Sequence, residues 1–316
     1  MTHPISETAQ IKIVQGIAKE LGVGPQQVAA AVALLDEGST VPFIARYRKE
    51  VTGNLDDTQL RNLEERLLYL RELEERRAVI LASIEEQGKL TDELHGAIEA
   101  AATKQTLEDL YLPYKPRRRT RAQIAREAGL EPLADALCAD PTLDPEQEAA
   151  KYVNVKPAAD GADAINIPDA KAALEGARDI LVERFAETAE LLAKLRARMW
   201  QQGIVTSTVI KGKESAEEEK FRDYYAYAET IRTIPSHRAL ALFRGMSLGV
   251  LKIELGLGEN IEVATAPHPC EAMIAAHFGI AERGCAADKW LLDVCHWTWR
   301  GKAHPHISTE LLAQLR

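Results

Sequence analysis

Aromatic residues are scarce, at 5% of 316 positions, while Ala, Leu, Glu and Arg fill long stretches. That balance suits helix packing and argues against a sandwich or barrel, so the expected fold class is mainly all-α. Four cysteines, Cys138, Cys270, Cys285 and Cys295, are too few and too dispersed to staple a secreted domain, and reduced thiols in a cytoplasmic protein are expected. No apolar run reaches the roughly 18 residues of a membrane span. Met1-Thr-His-Pro-Ile-Ser-Glu7 lacks a charged leader followed by an apolar stretch, so export is not indicated either. The signatures of catalysis are also missing: there is no Gly-x-Ser-x-Gly elbow, no Gly-x-x-x-x-Gly-Lys-Ser phosphate loop and no His-Glu-x-x-His helix. The expectation is a protein that is not an enzyme and uses no cofactor. A formal net charge of −9 repels polyanions as a whole, so any nucleic-acid contact must come from a local basic patch.

What is present is ordinary globular material, 46% hydrophobic and 28% charged, with length for about two domains. Ile11, Val14, Ile17, Ala18 and Leu21 recur at helical spacing before Gly22 and Gly24, and Pro25 opens a second helix with Val28, Val32 and Leu35. Gly38 to Pro42 is a turn, and Phe43, Ile44 and Tyr47 bury one side of a short helix. Asp56 or Asp57 caps a long helix with a stripe of Leu60, Leu63, Leu67, Leu70, Leu73, Ile80, Leu81 and Ile84. Some 30 residues of helix would span roughly 45 Å, ending at Gly88. Short helices follow at Leu107–Leu112 and Gln123–Ala128, so that 56–137 reads as a helix-turn-helix-like subdomain between an N-terminal helical segment, 1–55, and a helical region, 138–316. Pro141, Pro145 and the Pro157 to Gly161 stretch mark a connection. A second long helix is expected from Asp169 to about Gln202. Minor strands are expected near 204–210 and 250–257, where β-branched residues enter short apolar runs.

The best candidate binding element is Lys115-Pro-Arg-Arg-Arg-Thr-Arg121, with Arg126 a turn or two on and no acid between Tyr114 and Arg126. Thr120 and Gln123 have capping-box spacing, which starts a helix near Arg121 and sets Arg117, Arg118 and Arg119 just before its positive end. Cations there oppose the helix dipole, whereas a phosphate or carboxylate would satisfy both free amides and guanidinia. Lys115, Arg117, Arg118, Arg119, Arg121 and Arg126 are therefore the candidate nucleic-acid-binding residues. The competing reading is internal neutralisation by acids such as Glu64, Glu65, Glu74 and Glu75. Tyr111 and Tyr114 offer either base-stacking faces or core packing beside Pro113. Arg46, Arg48 and Lys49 read as partners in an ion-pair network with Glu50, Asp56 and Asp57. Histidines and cysteines gather between His268 and His306, but no Cys-x-x-Cys arm occurs and no metal site is expected; His304 and His306 are the least implausible pair. Lys211, Lys213, Glu217, Glu218 and Glu219 read as a solvated charged loop. Trp290, Trp297 and Trp299 read as core.

Several blocks carry a resemblance: Val41-Pro-Phe-Ile-Ala-Arg-Tyr-Arg-Lys-Glu50 with Thr52-Gly-Asn-Leu-Asp-Asp57; Tyr111 to Arg121 with Ile124 to Leu133; Lys220-Phe-Arg-Asp-Tyr-Tyr225; and His237-Arg-Ala-Leu-Ala-Leu-Phe-Arg-Gly245. In this order they resemble the amino-terminal half of the bacterial Tex transcription accessory proteins, similar in design to the core of a eukaryotic elongation factor that also acts as a histone chaperone. The resemblance implies that a ribonuclease-H-like domain, helix-hairpin-helix modules and an OB-fold RNA-binding domain belong beyond Arg316. It also implies a transcription-linked scaffold whose own nucleic-acid contact, to RNA or DNA, is weak and auxiliary. The alternative is a docking module for RNA polymerase or for those missing C-terminal domains, with no nucleic-acid binding of its own.

Overall fold

The computed structural model describes residues 7–116, 118–153, 166–210, 219–258 and 268–315. The chain divides into two compact units, 1–114 and 115–316, a boundary that falls inside the 56–137 stretch. In the first unit, α1 (Glu7–Leu21), α2 (Pro25–Asp36) and α3 (Val41–Tyr47) precede the 30-residue α4 (Asp57–Glu86), and α5 (Asp92–Ala100), α6 (Lys104–Tyr111) and a 3-10 turn, Leu112–Tyr114, follow it. α4 starts where the sequence places it because Asp56 and Gln59 cap each other. The Asp56 carboxylate accepts from the Gln59 amide at 2.7 Å, and the Gln59 side chain accepts from the Asp56 amide at 3.0 Å.

One helix serves two cores. Leu60, Leu63 and Leu67 pack with Ile13, Ile17, Val28 and Ile44, whereas Leu73, Ile80 and Ile84 pack with Ile98, Leu107 and Tyr111. Charged residues on the flanks of α4 clamp the shorter helices: Arg66 donates to Glu20 at 2.6 and 2.8 Å, and Arg71 to Asp36 at 2.7 and 2.8 Å. These guanidinium bonds hold both carboxyls below their usual range. The signature stretch before α4 is a left-handed turn, with φ of +61° at Gly53 and +65° at Asn54. Gln27 of α2 donates to the Gly53 carbonyl at 2.7 Å. A Cβ on Gly53 would sit 2.7 Å from the Gln27 amide nitrogen, so glycine is needed for space as well as for φ.

The second unit opens with α7 (Arg121–Glu127), α8 (Glu131–Ala139) and α9 (Pro145–Ala150), the last a short helix with Asp144 as cap and Pro145 at its first position. The Pro157–Gly161 connection lies outside the described residues. α10 (Ala170–Ala186) and α11 (Ala189–Gln202) occupy the stretch expected as one long helix. No glycine or proline divides them. The Thr188 amide bonds back only three residues, to Phe185 at 3.3 Å, its hydroxyl donates to the Arg184 carbonyl at 3.1 Å, and its extended backbone, φ −77° and ψ 106°, turns the chain into α11.

Strands β1 (Ile204–Val209) and β3 (Leu251–Gly256) form where expected, joined by a third, β2 (Ala226–Thr230), in an antiparallel sheet of order β2-β1-β3. Between β1 and β2 lies a 3-10 segment, Glu219–Tyr224, and α12 (Ser236–Ser247) leads into β3. α13 (Pro269–His277), α14 (Asp288–Thr298), a π-helical turn at Trp299–Ala303 and α15 (His304–Gln314) complete the unit. Its core centres on α10, whose Ala173, Ala177, Ile180, Leu181 and Phe185 are buried. No helix of the described residues is long and apolar enough to cross a membrane.

Candidate nucleic-acid interface

The Thr120 hydroxyl accepts from the Gln123 amide at 3.0 Å, so α7 begins at Arg121 as its spacing predicts. The Gln123 side chain does not complete the box; it donates to Glu127 at 3.2 Å. Ala122 and Ala125 are buried and hold the helix to the unit, which turns its remaining positions outward. Lys115, Arg118, Arg119 and Arg121 are exposed and Arg126 is half-buried. Arg117 lies outside the described residues.

These cations fall into two classes. Arg119 donates through Nε to Glu127 at 3.0 Å and through Nη2 to the same oxygen, which holds the Glu127 carboxyl below its usual range. Arg126 donates through Nη1 to Glu183 at 2.7 Å and faces Glu131 at 3.6 Å; Glu131 and Asp135 also take Arg184. Among the described residues, no carboxylate stands within ion-pair distance of Lys115, Arg118 or Arg121. Neutralisation of the paired class therefore comes from α7, α8 and α10, and Glu74 is engaged instead by Arg77 of its own helix. Tyr111 is core: its ring is buried and its hydroxyl meets Ser83 at 2.9 Å.

Beside the turn is a cleft of about 340 Å³ lined by Arg121, Asp179, Val182, Glu183, Trp297 and Lys302. The Glu183 side chain is 9% exposed, and one of its oxygens, Oε2, has no hydrogen-bond partner among the described residues. Burial pushes the Asp179 carboxyl up from its usual 3.8, against the pull of Arg178 and Arg121. Trp297, expected in the core, is 46% exposed with the Arg178 guanidinium 5.0 Å from its ring centroid, whereas Trp299 is buried. Sequence reading missed this cleft. The available signal was the four-residue spacing of Asp179 and Glu183, which sets two acids on one helix face flanking the apolar triplet Ile180-Leu181-Val182.

Because the folded pKa of Asp179 is raised, the cost of its charge is present above that pKa and vanishes below the unfolded value. Asp179→Asn should therefore raise stability near pH 7, by less than about 1 kcal/mol given its partial exposure, and the gain should shrink to nothing as pH falls below about 4. Denaturant titrations at both pH values check this, and a loss of stability at neutral pH would mean that Arg121 or Lys302 depends on the charge.

The other candidates are placed elsewhere. Arg48 caps the Tyr47 carbonyl at 3.3 Å and covers the Phe43 ring at 5.5 Å, Asp57 pairs with Arg61, and Asp56 caps α4. The network expected around Arg46, Arg48 and Lys49 is thus not formed among the described residues; the cap takes up Asp56 and the neighbouring Arg61 takes up Asp57. His304 Nε2 meets the Leu255 carbonyl at 2.7 Å and His306 pairs with Glu310 at 3.1 Å. Lys211, Lys213, Glu217 and Glu218 lie outside the described residues, and Glu219 faces Arg222 at 3.8 Å.

The model of the Tex-like protein N-terminal domain matches residues 11–85, and that of the Tex central region matches 140–316, leaving the basic turn between them. The chain is 56% identical to protein YhgF of Escherichia coli (strain K12), over 95% of this chain and 38% of that protein. It is 55% identical to protein tex of Bordetella pertussis, over 96% of this chain and 38% of that protein. With the transcriptional accessory protein Tex of Neisseria gonorrhoeae, identity is 51% over 97% and 38%. The chain thus spans about 38% of the length of these curated relatives, and by its matched N-terminal and central regions it belongs to the Tex family.

Proposed function

We propose that this chain is the N-terminal helical scaffold of a transcription accessory protein, and that it makes auxiliary contact with nucleic-acid phosphates through the basic turn. The observation that carries the first part is identity above one half, along nearly the whole chain, to a relative named as a transcriptional accessory protein. For the second part, the support is Lys115, Arg118 and Arg121, exposed and without an acid partner among the described residues, with Arg117 in the same run of the sequence. Charges of this kind neutralise phosphates and position a strand without reading its sequence. Arg119 and Arg126 contribute chiefly to the fold, since their carboxylate partners already satisfy them. In this reading the protein is cytoplasmic and not an enzyme, and the domains that complete it supply the main RNA contact.

Carboxylate pairing of Arg119 and Arg126 favours a second reading, a docking module for RNA polymerase or for the remaining domains of the protein. Fluorescence anisotropy with labelled single-stranded RNA and duplex DNA across a salt series separates the two. The phosphate reading predicts micromolar binding that falls steeply with salt, and a flatter slope for Lys115→Ala/Arg118→Ala/Arg121→Ala. Absence of binding at low salt would leave the docking reading.

A further inference from the structure

Two of the blocks that mark the family, Lys220–Tyr225 and His237–Gly245, have no role in the basic turn. They close instead on a separate cleft of about 390 Å³ in the second unit, lined by Lys220, Phe221, His237, Leu240, Ala241 and Arg244. The four residues from α12 recur at i, i+3, i+4 and i+7, one face of the helix. Its centre is apolar. Leu240 is 57% exposed, and Phe221 lies buried with the Lys220 ammonium 5.4 Å from its ring centroid. The cleft is fixed by close backbone approach at Gly245, where a Cβ would lie 2.5 Å from Leu251 Cδ1 and 3.2 Å from Phe221 Cδ1.

The polar lining has one sign. Lys220, His237 and Arg244 surround the hollow, no carboxylate lines it, and none of the three side chains has an ion-pair partner among the described residues. This occurs in a chain with 48 acidic and 39 basic residues. Their neighbours in the same blocks behave otherwise: Arg222 faces Glu219 at 3.8 Å, and Arg238 donates to Glu229 at 3.0 Å. Glu219 and Glu229 are thus engaged by Arg222 and Arg238 outside the cleft, and among the described residues no carboxylate pairs with Lys220, His237 or Arg244.

We infer that the α12 cleft binds the phosphodiester backbone of a single-stranded nucleic acid, with Lys220, His237 and Arg244 on phosphates and Leu240 against a sugar or base. Cations around an exposed apolar centre match a strand whose bases are unpaired. A duplex would turn only its hydrated backbone toward Leu240. This deepens the proposed nucleic-acid contact and rests on that reading, but through residues that the basic turn does not share.

The test titrates the full chain with a fluorescein-labelled oligouridylate across a salt series, for wild type, Lys220→Ala/Arg244→Ala, Leu240→Ala and the basic-turn triple variant, each checked for native circular dichroism. Removing two phosphate contacts should weaken low-salt binding at least about fivefold and flatten the log–log salt slope by about 1.4. Leu240→Ala should weaken binding with the slope unchanged. Unchanged affinity in the double variant overturns the inference while leaving the basic turn standing if the triple variant still loses binding. A polyglutamate peptide that displaces the oligonucleotide at equal charge also overturns it, by making the cleft a dock for acidic protein. If wild type binds no oligonucleotide, both sites fall.

Discussion

Arg77→Ala should destabilise the protein by about 3–5 kcal/mol, the cost of breaking a buried charged network by removing one member. Arg77 sits within the apolar stripe of α4 with its side chain only 8% exposed. Its guanidinium donates to the Ile98 carbonyl at 3.1 Å, to the Ala101 carbonyl at 2.7 Å and to Glu74. The first two close the C-terminal end of α5, where orphan carbonyls and the negative end of the dipole both favour a cation. Alanine leaves the Ala101 carbonyl and the Glu74 carboxylate without this donor, while the Ile98 carbonyl keeps only the Ala101 amide at 3.2 Å. Arg71→Ala, which breaks the more exposed pair with Asp36, should cost less than about 1 kcal/mol. Guanidinium unfolding midpoints of the two variants make the comparison, with faster amide exchange in α5 for Arg77→Ala alone. Equal losses would show that the buried fork adds nothing beyond a surface pair.

Phe185→Ala is expected to cost a similar amount, about 3–5 kcal/mol, for a different reason. Phe185 is 1% exposed near the end of α10 and stacks on Phe278 with ring centroids 3.6 Å apart and planes at 11°. Truncation removes the transfer free energy of a whole ring and leaves Phe278 facing a void. Phe185→Leu keeps most of the volume and should cost less than about half as much. A loss in Phe185→Ala no larger than in Phe185→Leu would mean that the surroundings collapse into the space.

The first unit was largely legible because its signals are local. Asp56, Gln59 and the leucine stripe fix where α4 begins and which face it buries, and Gly88 with φ of +65° marks its end. Arg77 was not legible: helical periodicity places it among apolar neighbours, and only the approach of α5 supplies acceptors that make burial tolerable. β2 escaped because both faces of Ala226–Thr230 stay partly open, so no alternation is written into it; β1 imposes the pairing, Ser207 opposite Tyr227. The break between α10 and α11 falls at Thr188, whose backbone is extended at φ −77° and ψ 106°, with no glycine or proline to announce it.

For the candidate site, composition and spacing located the basic turn and its threonine cap. They did not say which arginines are spent. Arg126 reaches Glu183 across 57 residues of sequence, a pairing that exists only once α7 has packed on α10. The same limit explains why Lys220 and His237 read as family marks and not as a cleft: their convergence exists only once the 3-10 segment has packed against α12.

The central claim is that cations without acid partners form the nucleic-acid face, whereas paired ones hold the fold. Its most direct test is one salt-dependent RNA titration and one unfolding curve for Arg118→Ala/Arg121→Ala beside Arg126→Ala. The claim predicts a slope flatter by about 1.4 with an unchanged unfolding midpoint for the double variant. For Arg126→Ala it predicts an unchanged slope and a lower midpoint, because Glu183 is left buried and unpaired. The reverse pattern, or an RNA affinity indifferent to both, would contradict it.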